Sequence, residues 1–174
     1  MSYKDNEMLA LRKVTLYGEV TNSNIGETIN QLVYLDHLNS DPIELIINSI
    51  GGSPSAAFAL IDIIDSLKSK VNTVGLGDIC SAGLMIFMAG NNRITTKNTC
   101  ILSHRYAWGR AMIKHAELLA RRKEEDLTHL RIINHYKKVT GLSKEKLEEY
   151  LLKESDTFLT AEEALKYNIA TKIL

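Results

Sequence analysis

Three residue types that together can open an acyl bond occur in this chain in settings suited to them. Ser81 lies in Gly77-Asp78-Ile79-Cys80-Ser81-Ala82-Gly83, between two apolar runs, Val71-Asn72-Thr73-Val74-Gly75-Leu76 and Leu84-Met85-Ile86-Phe87-Met88-Ala89. A serine set among small residues where a strand turns into a helix is exposed for attack. The helix N-terminus there aims amide donors at developing negative charge. The same pattern also describes an ordinary helix-capping serine. His104 closes the short apolar run Cys100-Ile101-Leu102-Ser103. Asp156 stands just before Thr157-Phe158-Leu159 and the capping-box sequence Thr160-Ala161-Glu162-Glu163. A hydroxyl needs a base to become a nucleophile, and the base needs an acid to fix its tautomer. Ser81, His104 and Asp156 supply that set, although chain order alone selects no fold, since such triads recur in several orders.

Other chemistry finds less support. The glycines at 51, 52, 75 and 77 lack both the lysine of a phosphate-binding loop and the G-x-G-x-x-G spacing of a dinucleotide site. No His, Cys and carboxylate cluster has ligand spacing along the chain, so neither a metal site nor a cofactor is expected. Cys80 reads as a small packing residue rather than a redox-sensitive thiol, and Asp78 as a solvent-facing turn residue. His37, His115, His129 and His135 fall in helical segments with polar neighbours, and no catalytic role is expected of them.

The elements that must hold these residues follow from periodicity. Residues 13–20 alternate and are β-branched, which predicts a strand. Ile25, Ile29, Leu32 and Val33 keep a helical stripe that Asp41-Pro42 ends. Residues 43–47 predict a buried strand. Gly51-Gly52 predicts a turn, and Ser53 then caps a helix with Pro54 at its first position, running to about Lys68. A strand over 71–76 leads into the Ser81 helix, and short strands are expected over 93–96 and 100–104. A long helix over 112–139 is ended by Gly141. Helices over 143–153 and 161–167 and a strand over 169–173 complete the chain. Strands alternating with helices on short connections predict an α/β fold of βαβ units.

Composition narrows the function further. The chain has 174 residues, 45% hydrophobic and 24% charged, with a formal net charge of zero. That size suits one domain, 1–174, with a sizeable core. Zero net charge argues against a nucleic-acid or anionic-membrane partner held by bulk charge. Cys80 and Cys100 are the only cysteines, so no disulfide framework is indicated and a reduced, cytoplasmic setting is expected. No basic-then-apolar leader occupies the first twelve residues. The longest uncharged apolar stretch, 79–90, is too short to span a bilayer.

Several segments together resemble one family. They are Leu16-Tyr17-Gly18-Glu19-Val20, Ile46-Ile47-Asn48-Ser49-Ile50-Gly51-Gly52-Ser53, the Ser81 turn, His104 after its strand, Thr140-Gly141, the segment from Asp156 to Ala164, and Tyr167. They are similar to the landmarks of the ClpP family, the self-compartmentalising serine peptidases of the ATP-dependent Clp protease. The likeness runs from about Val14 to the C-terminus. It implies a ClpP/crotonase-like α/β fold of repeated β-β-α and βαβ units, with a protruding handle over about 105–140. It implies Ser81 as nucleophile, His104 as general base, Asp156 as the orienting acid, and the backbone N–H groups of Gly52 and Ala82 as the oxyanion hole. It also implies peptide and unfolded-protein substrates, no cofactor, heptameric rings of identical subunits (one ring, or two as a tetradecamer), and an AAA+ ATPase partner for folded proteins.

The chain departs from the family pattern at several places. Ile50 stands for a proline, Arg105-Tyr106 for Gln-Pro, Glu154-Ser155 for Asp-Arg, and Asn168 for a glycine. The glycine-rich strand after His104 is shortened to Ala107-Trp108-Gly109-Arg110. In the family the arginine before the aspartate joins stacked rings. A non-catalytic ClpP-like ring subunit is therefore the alternative reading, and an acyl-CoA enzyme of related architecture the third.

Overall fold

The computed structural model describes residues 3–105 and 115–174, with side chains over 7–105 and 117–174. In chain order the elements are α1 (Tyr3–Ala10), β1 (Lys13–Val20), α2 (Asn22–Leu38), β2 (Ile43–Gly52), α3 (Pro54–Ser66), β3 (Val71–Cys80), α4 (Ala82–Met88), β4 (Arg93–Thr95), β5 (Cys100–Ser103), α5 (His115–Thr140), α6 (Lys144–Tyr150), β6 (Thr157–Leu159), α7 (Ala161–Lys166) and β7 (Lys172–Ile173). Local chemistry sets most of their ends. Thr21, Ser53, Ser143 and Thr160 each cap a helix through the side-chain oxygen, with Thr160 and Glu163 completing a reciprocal capping box. Pro54 occupies the first turn of α3, where its missing N–H costs nothing.

The strands form one sheet. β1, β2, β3, β4 and β7 lie side by side in that order, all parallel. The sheet branches at β3. The early residues Thr73 and Val74 pair with β4, while Asp78, Ile79 and Cys80 pair with β5. β6 then runs antiparallel to β5. Helix α4 packs on β2 and β3, and every one of its residues is buried. Leu16, Leu45, Ile47, Leu60, Ile79, Ile86 and Phe87 belong to the core that the sheet and helices enclose. Burial of this kind supplies most of the favourable free energy of folding.

Several expectations are corrected. The strand over 71–76 continues to Cys80, because pairing with β5 holds the Gly77–Cys80 stretch extended rather than turned. Asp78 is accordingly a half-buried strand residue. β2 runs through Gly51-Gly52, and α3 stops at Ser66. β6 and α1 were not expected, and β7 spans two residues rather than five. Val33 is exposed, and Leu35 takes its place in the buried stripe of α2. His135, in a helical segment as expected, is buried despite its polar neighbours in sequence. The long helix is seen from His115. The first residues expected of it, and much of the handle before it, lie outside the described residues. Within α5, Ile132, Ile133 and Tyr136 are buried, whereas Leu118, Leu119, Leu127 and Leu130 are exposed. No helix among the described residues is long and apolar enough to cross a membrane.

Candidate active site

Parallel α/β sheets collect functional groups at the carboxyl ends of their strands, where loops and helix N-termini converge. Here the ends of β2, β3 and β5 bring Gly51-Gly52, Ser81 and His104 together. Ser81 follows the last residue of β3, and its N–H donates to the Leu102 carbonyl of β5 at 2.9 Å. The main chain then turns abruptly into α4. Ser81 takes φ 54°, ψ −120°, a conformation rare outside glycine. Such a residue carries strain of about 1–3 kcal/mol, which the surrounding structure must hold. The hydroxyl makes no capping bond to α4. Instead Ser81 Oγ lies 2.7 Å from His104 Nε2.

The neighbours explain the fixed geometry. A Cβ on Gly51 would come within 2.7 Å of Ser81 Cβ, 2.8 Å of the Cys80 carbonyl oxygen and 3.1 Å of the Ala82 nitrogen. The backbone of β2 thus passes against the turn that presents Ser81, and only glycine allows it at φ 96°. Ser49 Oγ accepts the Gly51 N–H at 3.1 Å, and Asn48 Oδ1 accepts the Asp78 N–H at 3.1 Å, which ties the end of β2 to itself and to β3. Behind His104, the buried Ser103 Oγ and Tyr136 hydroxyl share a hydrogen bond of 2.9 Å, joining the end of β5 to α5. Burial pushes the Tyr136 phenol up to about 12, so it stays neutral.

A cavity of about 120 Å³ opens at this point. Gly52, Ala82, Ser81 and His104 line it together with Pro54, Met85, Ile132 and Tyr136. Sequence reasoning singled out the first four but missed Tyr136, Met85 and Ile132. The only signal for Tyr136 and Ile132 was the apolar stripe of α5, which says that they are buried and not against what.

Asp156 is exposed, and among the described residues it makes no hydrogen bond to His104. Its place in the ladder is nevertheless defined. β6 pairs Thr157 with Ser103 and Phe158 with Leu102 in antiparallel register, so Asp156 and His104 are the next residues beyond the last pair. Cys80 is buried beside Ser81, and its thiol is pushed up to about 12 by burial first and then by Cys100 and Asp78. It is a protonated thiol, not a nucleophile. His135 is also outside the cavity's chemistry. Its Nε2 is 2.9 Å from the Met85 carbonyl, and burial lowers its pKa.

The parallel sheet and the serine–histidine contact at its carboxyl edge define a class, that of α/β proteins built to present a hydroxyl against an imidazole. The family model described as Clp protease matches residues 2–174, and the chain belongs to that family. It is 33% identical over 174 residues to the ATP-dependent Clp protease proteolytic subunit 1 of Chlamydia abortus, covering 98% of this chain and 90% of that one. It is 31% identical over 172 residues to the proteolytic subunit 2 of Pseudomonas aeruginosa, covering 95% and 82%. Among solved structures, a point mutant of ClpP1 from Listeria monocytogenes superimposes with a TM-score of 0.87 at 29% identity, covering 98% of this chain and 95% of that one. The expected ClpP-like fold is therefore the observed one.

Proposed function

We propose that this chain is the peptidase subunit of a ring-forming, self-compartmentalising protease and cuts peptide bonds with Ser81. The observation that carries the reading is the 2.7 Å approach of His104 Nε2 to a serine hydroxyl held free of any capping bond by a strained turn. In the tautomer with the proton on Nδ1, Nε2 accepts the Ser81 hydroxyl hydrogen and serves as general base. Ser81 Oγ bonds to the substrate carbonyl carbon as its proton passes to His104. The oxyanion is held by the N–H groups of Gly52 and Ala82, donors of the kind whose removal costs about a hundredfold or more in rate. The carbon–nitrogen bond then breaks as His104 returns the proton to the leaving amine. Water, deprotonated by His104, releases the acyl group and restores Ser81.

Asp156 is assigned to orient His104 through Nδ1, on the strength of its position opposite His104 at the end of the β5–β6 ladder. Because Asp156 is exposed and makes no hydrogen bond to His104 among the described residues, this contact is assigned to the assembled ring. Heptameric rings and an AAA+ ATPase that delivers folded proteins complete the reading. The chain's cytoplasmic placement belongs with them. The same exposed Asp156 favours the second reading, a non-catalytic ring subunit. One experiment separates the two. Ser81 should react with a fluorophosphonate and hydrolyse short peptides, and Ser81→Ala should lose both with its fold intact by circular dichroism. Undiminished peptide turnover by Ser81→Ala would overturn the mechanism, and absence of labelling in the assembled wild-type ring would favour the scaffold.

A further inference from the structure

The end of β3 carries a second set of side chains that the serine–histidine pair does not use. Asp78 and Cys80 are two residues apart on the strand and so face the same side of the sheet. Cys100 opens β5 and pairs directly with Asp78 in the parallel ladder. One carboxylate oxygen and the two sulfurs all lie within 4.8 Å of one another. Cys80 is buried, while Asp78 and Cys100 are half-buried. Among the described residues, Asp78 has no ion-pair partner. No spacing along the sequence shows this cluster, because Cys100 is brought to Asp78 only by strand pairing.

We propose that Asp78, Cys80 and Cys100 form a binding site for a thiophilic divalent cation of the zinc class. Zinc binds thiolate at about 2.3 Å and carboxylate oxygen at about 2.0–2.2 Å, so donors on one tetrahedral ion stand about 3.8 Å apart or less. The three donors, within 4.8 Å of one another, close by about an ångström to reach that spacing. Two sulfurs and one oxygen select zinc over magnesium or calcium, which take oxygen ligands. Three protein donors leave the fourth position of a tetrahedral ion to water. Each thiol gives its proton to solvent on binding, as coordination deprotonates a thiol outright.

The location gives the site a consequence. Cys80 is the residue before Ser81, and Cys100 is on the four-residue strand that ends just before His104. An ion here ties the end of β3, which presents Ser81, to the start of β5, the strand that leads to His104.

The test uses the full chain, reduced and metal-free, titrated with zinc and separately with cobalt as a spectroscopic substitute. We expect one zinc ion per chain, a rise in Tm with zinc concentration as mass action requires, and a thiolate-to-cobalt charge-transfer band. Cys100→Ser should lose most of that band. Asp78→Asn, a near-isosteric change at a half-buried position, should keep the band and bind at least about tenfold more weakly, since even outer-shell partners contribute about 10–100-fold. Zinc uptake unchanged in a Cys80→Ser, Cys100→Ser double variant, or a cobalt spectrum without the thiolate band, would overturn the proposal. So would a Cys80–Cys100 disulfide forming in air while the reduced protein takes up no zinc.

Discussion

Replacing Gly51 by alanine tests how tightly the end of β2 fixes Ser81. Gly51 has φ 96°, and its added Cβ would lie 2.7 Å from Ser81 Cβ and 2.8 Å from the Cys80 carbonyl oxygen. Forcing an alanine into such a conformation costs about 1–3 kcal/mol, and overpacking against fixed neighbours about 1–3 kcal/mol more. The neighbours are backbone and Cβ atoms, which cannot swing aside. Gly18 provides the control, because it has φ 84° but nothing within 4 Å of its added Cβ. Gly18→Ala should therefore show the conformational cost alone. Gly51→Ala should lose about 2–6 kcal/mol, a large share of the 5–15 kcal/mol that folded domains have. For a chain of this size that lowers Tm by about 5–20 °C.

The nucleophile should suffer as well. Relieving a 2.7 Å contact to the 3.4 Å of ordinary packing moves Ser81 by about 0.7 Å relative to β2. Misplacement on that scale costs up to about a hundredfold in rate. Thermal unfolding of both variants, with fluorophosphonate labelling of Ser81 timed below their Tm values, measures the two effects separately. The reasoning fails if Gly51→Ala matches Gly18→Ala in Tm and labels at the wild-type rate.

Two further outcomes are expected. Burial lowers the pKa of His135, and it faces Lys138 and Asp65, whose charges oppose each other in effect. A histidine with a folded pKa below its unfolded value of about 6.5 stays neutral when folded while the unfolded chain gains a proton. Stability should therefore fall as pH drops through about 6.5 towards 5, and urea unfolding at both ends of that window should show a smaller difference in His135→Gln, whose amide can still donate to the Met85 carbonyl; an identical difference would refute the assignment. On α5, Leu127 and Leu130 are 51% and 55% exposed, and glutamate at both should shift sedimentation towards smaller species, whereas an unchanged assembly would show that this face is not a subunit contact.

Much of this protein was determined locally and could be read from its residues. The alternation over Lys13–Val20 is β1 to the residue, and Ser53-Pro54 and Thr160-Ala161-Glu162-Glu163 start α3 and α7 where their capping chemistry requires. Such signals act within a turn or two of chain, so the sequence carries them without reference to the rest of the fold. Ser81 and His104 were legible as residue types in suggestive settings, and the structure brings them to 2.7 Å.

What stayed hidden depends on pairing between distant segments. Periodicity ends the third strand at Leu76, yet β5 extends it to Cys80 by hydrogen bonding across the branch of the sheet. Thr157-Phe158-Leu159 is too short to signal a strand, and becomes β6 only because β5 offers a free edge. The α5 stripe could not reveal that Tyr136 reaches Ser103, nor that His135 is buried against Met85. Asp78, Cys80 and Cys100 converge only through the parallel register. Hydrophobic pattern says which side of an element is buried. Which partner it is buried against is set by strand order and register, and these are properties of the folded chain as a whole.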